Sequence, residues 1–315
     1  MTQEPENWER KVLEKVAMAA VQEQRRARQW GIFFKLLGFG YLFLLLFLFA
    51  GNWSDSEVAT VGRHTAVVDL KGVIASNERA SADIIIEGLR NAYADKNTAG
   101  VILRINSPGG SPVQASYINA EMRRLRALHP NIPLYAVVED ICASGGYYVA
   151  VAADRIYVNP ASLVGSIGVL MDGFGFTDTM KKLGVERRLL TAGENKGFLD
   201  PFSPENPQQK EYALAMLKEI HGQFIGAVRE GRGNRLHETP DMFSGLIWTG
   251  ERAVQLGLAD AYGSTDEVAR NVIKAEKLVD YTPHERWSDR LAKQFGVGMS
   301  KALDPLEAWT QPFLR

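Results

Sequence analysis

From Leu36 to Gly51 the chain carries no charged side chain and is built mainly of Leu and Phe, and this run limits what the sequence around it can fold into. With Ile32 to Phe34 before it, and Lys35 able to snorkel along its own aliphatic stem, the stretch approaches the roughly 20 residues a helix needs to cross a bilayer. A helix so apolar on every face would need cover all round, which a domain of this size does not supply. Residues 1–30 are mostly polar, and no small-x-small pattern follows in Ala50-Gly51-Asn52-Trp53, so the sequence predicts an uncleaved anchor over 31–51 rather than a removed signal peptide. Arg25, Arg26, Arg28 and Lys35 stand on its N-terminal side, whereas Asp55 and Glu57 follow it. The positive-inside rule then puts residues 1–30 in the cytoplasm and everything after about Asn52 outside, with Trp30 and Trp53 at the two interfaces. For a bacterial inner membrane, outside is the periplasm.

The anchor divides the chain. On its cytoplasmic side Trp8, Val12, Val16, Ala19 and Ala20 recur at helical spacing among Glu, Lys and Arg, which predicts a short amphipathic helix extending the anchor. Beyond it, residues 52–64 are rich in Ser, Asp, Thr and Gly and read as a linker, leaving 65–280 for a folded domain and 281–315 for a tail. In that tail Trp287, Leu291, Phe295, Met299 and Leu303 recur every fourth position, a helical stripe suited to packing on the domain or on a neighbouring subunit. Lys plus Arg total 36 against 37 for Asp plus Glu, a net charge of -1 that gives no attraction to nucleic acid. The single cysteine, Cys142, excludes an internal disulfide and a cysteine-rich zinc site, and reads as a small buried residue; no metal or cofactor is expected.

Within the domain, short apolar runs alternate with helical spacing. Thr65 to Leu70, Val101 to Ile105, Leu134 to Val138 and Arg155 to Val158 read as strands. Ser81 to Ala94, Val113 to Leu128 with Pro112 at its start, Tyr147 to Ala153, Gln208 to Glu230, Glu251 to Leu256 and Thr265 to Lys277 read as helices. The alternation predicts an α/β fold with a parallel sheet and covering helices, preceded by the transmembrane helix. In such sheets function gathers at loops beyond the strand C-termini. Two glycine-bearing segments fall at such loops: Asn106-Ser107-Pro108-Gly109-Gly110-Ser111, and Ala143-Ser144-Gly145-Gly146-Tyr147-Tyr148.

Acyl transfer requires a nucleophile, a base and donors for a tetrahedral oxyanion. Ser144 offers the first, the Gly145 N–H at a helix start can serve the third, and Gly109-Gly110 lets backbone approach a carbonyl with no Cβ in the way. No histidine lies between His129 and His221 to activate Ser144, which suggests a lysine base. Lys196 sits in Gly193-Glu194-Asn195-Lys196-Gly197-Phe198-Leu199-Asp200-Pro201-Phe202, where Phe198, Leu199 and Phe202 can desolvate it and lower its proton affinity. Spacing alone does not select Lys196 over Lys181 or Lys182.

Taken together, Asn106-Ser107-Pro108-Gly109-Gly110, Ala143-Ser144-Gly145-Gly146-Tyr147-Tyr148, Gly165-Ser166-Ile167-Gly168, and Trp248-Thr249-Gly250 with Ala253, Gly257-Leu258 and Asp260 resemble the signal peptide peptidase A (protease IV) family in its short, single-domain, membrane-anchored form. The resemblance spans roughly Thr65 to Lys277. It implies a Clp-peptidase-like, crotonase-related fold and a Ser-Lys dyad, with Ser144 as nucleophile and Lys196 as base. It further assigns Ser166 a hydrogen bond to the lysine amine, and Gly110 with Gly145 the oxyanion hole. Clp peptidase itself carries a histidine in the region that here reads Leu163 to Gly168, where this chain has none. The family also implies a homo-oligomeric ring whose dyad can be drawn from neighbouring subunits, and peptide substrates such as released signal peptides and other apolar segments. Two other classes compete: a non-catalytic membrane scaffold keeping the fold, and a crotonase-like enzyme acting on an acyl thioester. The second fits poorly, because coenzyme A thioesters are cytoplasmic and neither glycine turn is followed by basic residues for a phosphate tail.

Overall fold

The computed structural model describes residues 6–50 and 62–283. The linker expected over 52–64 lies largely outside these residues, and the apolar stripe from Trp287 to Leu303 lies wholly outside them. The chain divides into two units, the first ending at Val61 and the second starting at Gly62.

In the first unit α1 (Glu6–Ala50) is one uninterrupted helix of 45 residues, so the predicted amphipathic segment and the apolar run share a single axis. Phe39, Tyr41, Leu42 and Phe43 are each more than half exposed, and side chains at 100° intervals this close in sequence cover most of the circumference. Trp30 stacks on Phe34 at 5.8 Å between ring centroids. Among the described residues no helix is long and apolar enough to cross a membrane; the uncharged run of the sequence continues to Gly51, beyond them.

The second unit is a sheet with helices. In chain order its elements are β1 (His64–Lys71), α2 (Ala82–Ala94), β2 (Thr98–Ser107), α3 (Pro112–Leu128), β3 (Leu134–Ala143), α4 (Gly145–Ala150), β4 (Arg155–Val158), β5 (Leu163–Gly165), α5 (Thr177–Lys182), α6 (Pro207–Arg232), β6 (Ile247–Thr249), α7 (Gly250–Gln255), β7 (Ala261–Tyr262), α8 (Thr265–Glu267) and β8 (Leu278–Asp280). The main path of the sheet runs β6-β5-β3-β2-β1-β8, with β4 on β3 and β7 on β4. All pairs are parallel except β5 with β6. Strand β3 is the hub: its first half pairs with β4 (Tyr135↔Arg155) and its last residues pair with β5 (Ala143↔Gly165). That handover brings the ends of β3 and β5 together.

Ser111 caps α3 by accepting the Gln114 N–H at 3.4 Å, and Pro112 fills the first turn, where its missing N–H leaves nothing unpaired. Helices α2, α3 and α4 bury one sheet face in a core containing Val68, Leu103, Ala136, Ile85, Met122 and Tyr147. These are among the covering helices that the sequence predicts. On the other face Ile102, Val137 and Tyr157 pack under Val268, Ala269 and Ile273, a turn of π-helix following α8. Further along that face Asp69, Arg104 and Glu139 form an ion-paired row, with Arg104 Nη2 donating to Asp69 Oδ2 at 2.8 Å. Charged partners satisfy one another there, so solvent can face the sheet.

Candidate active site

Ser144 follows β3 and precedes α4 at φ 51° and ψ -122°, a conformation that favours glycine and costs a serine on the order of 1–3 kcal/mol. It is held from both sides. The Ser144 N–H donates to the Gly165 carbonyl at 2.8 Å, and its own carbonyl accepts the Tyr148 N–H at 2.9 Å. A sharp strand-to-helix turn of this kind presents the side chain outward at the end of a sheet. A serine before a helix ordinarily caps it, as Ser111 and Ser264 do here. The Ser144 hydroxyl makes no cap bond.

The first glycine turn lies directly beside it. Gly109 (φ 103°) and Gly110 (φ 145°) are held by Ile74, whose N–H donates to the Gly109 carbonyl and whose carbonyl accepts the Ser111 N–H, both at 2.8 Å. Ser107 shapes the turn from within, accepting the Gly109 N–H at 3.1 Å and donating to the Gly72 carbonyl at 2.6 Å. A Cβ on Gly109 would come 2.8 Å from Ser144 Cβ, and one on Gly110 only 2.2 Å from the Ile74 carbonyl oxygen. A Cβ on Gly145 would reach to 3.2 Å from the Gly110 nitrogen. The Gly110 and Gly145 N–H groups are therefore neighbours, and neither donates to an acceptor among the described residues. Two unpaired backbone donors next to a free hydroxyl make the constellation an oxyanion requires.

Ser166 follows β5 as Ser144 follows β3, and the register Ala143↔Gly165 makes the two serines successors of paired residues. Ser166 also has φ 51°, and its N–H donates to the Leu246 carbonyl at 2.8 Å.

Lys196 is exposed, and among the described residues no hydrogen bond joins its amine to Ser144 or Ser166. The apolar neighbours expected to desolvate it are engaged elsewhere: Phe198 meets Tyr212 edge-on at 5.8 Å, and Phe202 stacks on Phe176 at 5.5 Å. The physical reason is that the stretch around α5 folds back on itself, with the Phe176 N–H donating to the Pro201 carbonyl at 2.8 Å. It leaves Leu170, Phe174, Leu183 and Leu190 exposed, Leu190 at 95%.

Cys142 is fully buried, and burial pushes its thiol far above the usual range, so it supplies no thiolate. Sequence reasoning missed His221. Its Nε2 lies 3.1 Å from the Ile167 carbonyl, an acceptor, so that nitrogen carries the proton and tethers the turn after Ser166. Its place within a long helix concealed this, since the contact spans 54 residues.

Residues 126–280 match the model of peptidase family S49. Over 236 residues the chain is 32% identical to a putative protease of Methanocaldococcus jannaschii, an alignment covering 73% of this chain and 75% of that one. The chain belongs to peptidase family S49. A putative signal peptide peptidase SppA of Enterococcus faecium is 28% identical over 230 residues, covering 70% of this chain and 66% of its own length. The Na(+)/H(+) antiporter NhaA of Brucella melitensis is 50% identical over 209 residues, but this chain spans only 28% of that protein's length. The S49 segment contains Ser144, Ser166, Lys196 and the Trp248 to Asp260 motif, while the Asn106 to Gly110 turn precedes it.

Proposed function

We propose that this S49 protein is a membrane-anchored serine endopeptidase in which Ser144 is the nucleophile and Lys196 the base. The observation that carries this reading is the uncapped Ser144 hydroxyl, held in a left-handed turn beside two unpaired N–H groups. Ser144 Oγ attacks the peptide carbonyl carbon, its proton passes to the neutral Lys196 amine, and the carbonyl oxygen takes up negative charge against the Gly110 and Gly145 N–H groups. Collapse of the intermediate breaks the C–N bond, and Lys196 returns the proton to the leaving amine. Water then attacks the acyl ester and restores the serine. Ser166 steadies the lysine amine and relays its proton.

Lys196 comes from a neighbouring copy in a homo-oligomeric ring. Its exposure, the absence of a hydrogen bond from it to Ser144 among the described residues, and the exposed apolar side chains around α5 all favour that arrangement, because a partner surface supplies the desolvation a single chain does not. The all-round apolar part of α1 anchors the protein in the cell membrane, residues 1–30 inside and the catalytic domain outside. Held there, the site meets released signal peptides and other apolar membrane-derived segments at raised local concentration.

Sealed vesicles from cells expressing the full chain test both halves. Right-side-out vesicles are expected to cleave an added unstructured apolar peptide, and sealed inverted vesicles to do so only after detergent. Cleavage confined to sealed inverted vesicles would overturn the topology, and no cleavage in either orientation, with or without detergent, would overturn the peptidase.

A further inference from the structure

The Trp248 to Asp260 motif contributes no group to the steps above, yet it reaches the neighbours of Ser144 on both sides. On the strand side the Trp248 ring lies against Gly165, where an added Cβ would come 2.9 Å from Trp248 Cδ1. Gly165 is the residue whose carbonyl accepts the Ser144 N–H. On the helix side the Tyr147 hydroxyl, in the first turn of α4, donates to the Leu258 carbonyl at 2.8 Å. Behind Leu258 lies Arg232, 1% exposed, whose Nε donates to the Gly257 carbonyl and whose Nη1 donates to Asp260 Oδ2, each at 2.8 Å. The same Asp260 oxygen accepts the Ile156 N–H of β4 at 2.7 Å. Burial alone would raise the Asp260 carboxyl; the bond to Arg232, aided by the Ile156 N–H and Arg235, outweighs it and keeps the group ionised below the usual carboxylate range. The fit leaves no slack, since a Cβ on Gly257 would come 1.7 Å from the Arg235 carbonyl oxygen, and one on Gly231 2.1 Å from the Val151 carbonyl oxygen just past α4.

We infer that the Trp248 to Asp260 segment, pinned by Arg232, is a brace that fixes the Ser144 turn from its strand side and its helix side, and that Tyr147, Arg232 and Asp260 are positioning residues for attack. The inference rests on Ser144 being the nucleophile. Helix α4 has six residues, too few to hold a direction without tertiary support. The left-handed Ser144 backbone persists only while its surroundings over-determine it. Misplacing a reacting atom by about 1 Å costs on the order of 100-fold in rate, so a small relaxation of α4 acts on chemistry before it acts on the fold.

Tyr147→Phe is the sharpest test, because it removes one hydroxyl and keeps the ring, whereas Asp260→Asn strands the buried Arg232 charge and endangers folding. The full-length wild type and Tyr147→Phe proteins are compared in detergent for kcat and KM on an apolar peptide and for the rate of fluorophosphonate labelling, each normalised to the folded fraction. The brace predicts that kcat and labelling rate per folded molecule fall about 10-fold, with KM within about twofold of wild type. A lower Tm with wild-type kcat and labelling per folded molecule would overturn it, leaving Tyr147 merely structural. A wild type that itself neither cleaves nor labels overturns the peptidase reading and the brace together, so the two failures are told apart by the wild-type arm.

Discussion

Ser144→Ala abolishes peptide cleavage, with a loss on the order of 10³- to 10⁶-fold, while the protein stays folded. The size follows from the chemistry: without Oγ there is no acyl-enzyme, and what remains is the donor pair and substrate binding, which alone give modest catalysis. The fold survives because the Ser144 hydroxyl caps nothing, so its removal leaves no helix N–H without a partner it had before. The backbone bonds that hold the turn, from Ser144 N–H to Gly165 and from Tyr148 N–H to Ser144, are main-chain and persist in alanine. Thermal unfolding alongside the cleavage assay checks both halves. A Ser144→Ala protein that cleaves at wild-type rate means another group is the nucleophile.

Lys196→Ala is expected to lower kcat about 10²- to 10⁴-fold, the range for loss of a positioned general base. Lys181→Ala, Lys182→Ala and His221→Gln should remain near wild type; Gln can still donate to the Ile167 carbonyl in place of the ring nitrogen. In the arrangement proposed above, the exposed Lys196 of one copy serves the Ser144 of another. Co-expressing Ser144→Ala with Lys196→Ala then restores part of the activity, since some junctions pair an intact serine with an intact lysine. No recovery in verified mixed assemblies contradicts a dyad shared between copies, and loss of activity in the Lys181, Lys182 or His221 variant in place of Lys196→Ala reassigns the base.

The parts of the fold that the sequence announces are those in which one chemical period runs long enough to be unambiguous. Thr65 to Leu70, Val101 to Ile105 and Val113 to Leu128 behind Pro112 all form as expected, because β-branched runs and helical spacing each persist for more than a turn or a pleat. Strands β5, β6 and β8 were not legible. Each has three residues and exists by pairing with a neighbour: β5 with β3, β6 with β5, and Leu278 to Asp280 with β1. Thr265 to Lys277 reads as one helix, but α8 passes into a π-turn that stops where Lys274 adopts φ 59°, a local winding that side-chain spacing does not encode.

The candidate site divides in the same way. Its glycine turns are legible because only glycine tolerates the approach between Gly109, Gly110 and Gly145. The conformation of Ser144 is not legible, since alanine, serine and two glycines in a row also describe an ordinary capped helix start. The surroundings of Lys196 are not legible, because apolar neighbours two to six positions away say nothing about which rings they will meet. The closing motif was visible as a pattern, but its role emerged only when Tyr147 and Leu258 were seen to meet across 111 residues.

The nucleophile is tested most directly by locating the adduct. After reaction of the full-length protein with a fluorophosphonate, peptide mass mapping is predicted to place the phosphonyl group on Ser144, on the fragment that also holds Cys142 and Tyr147. An adduct on Ser166 or any other residue, or no adduct on protein that cleaves peptide, would contradict the assignment of Ser144.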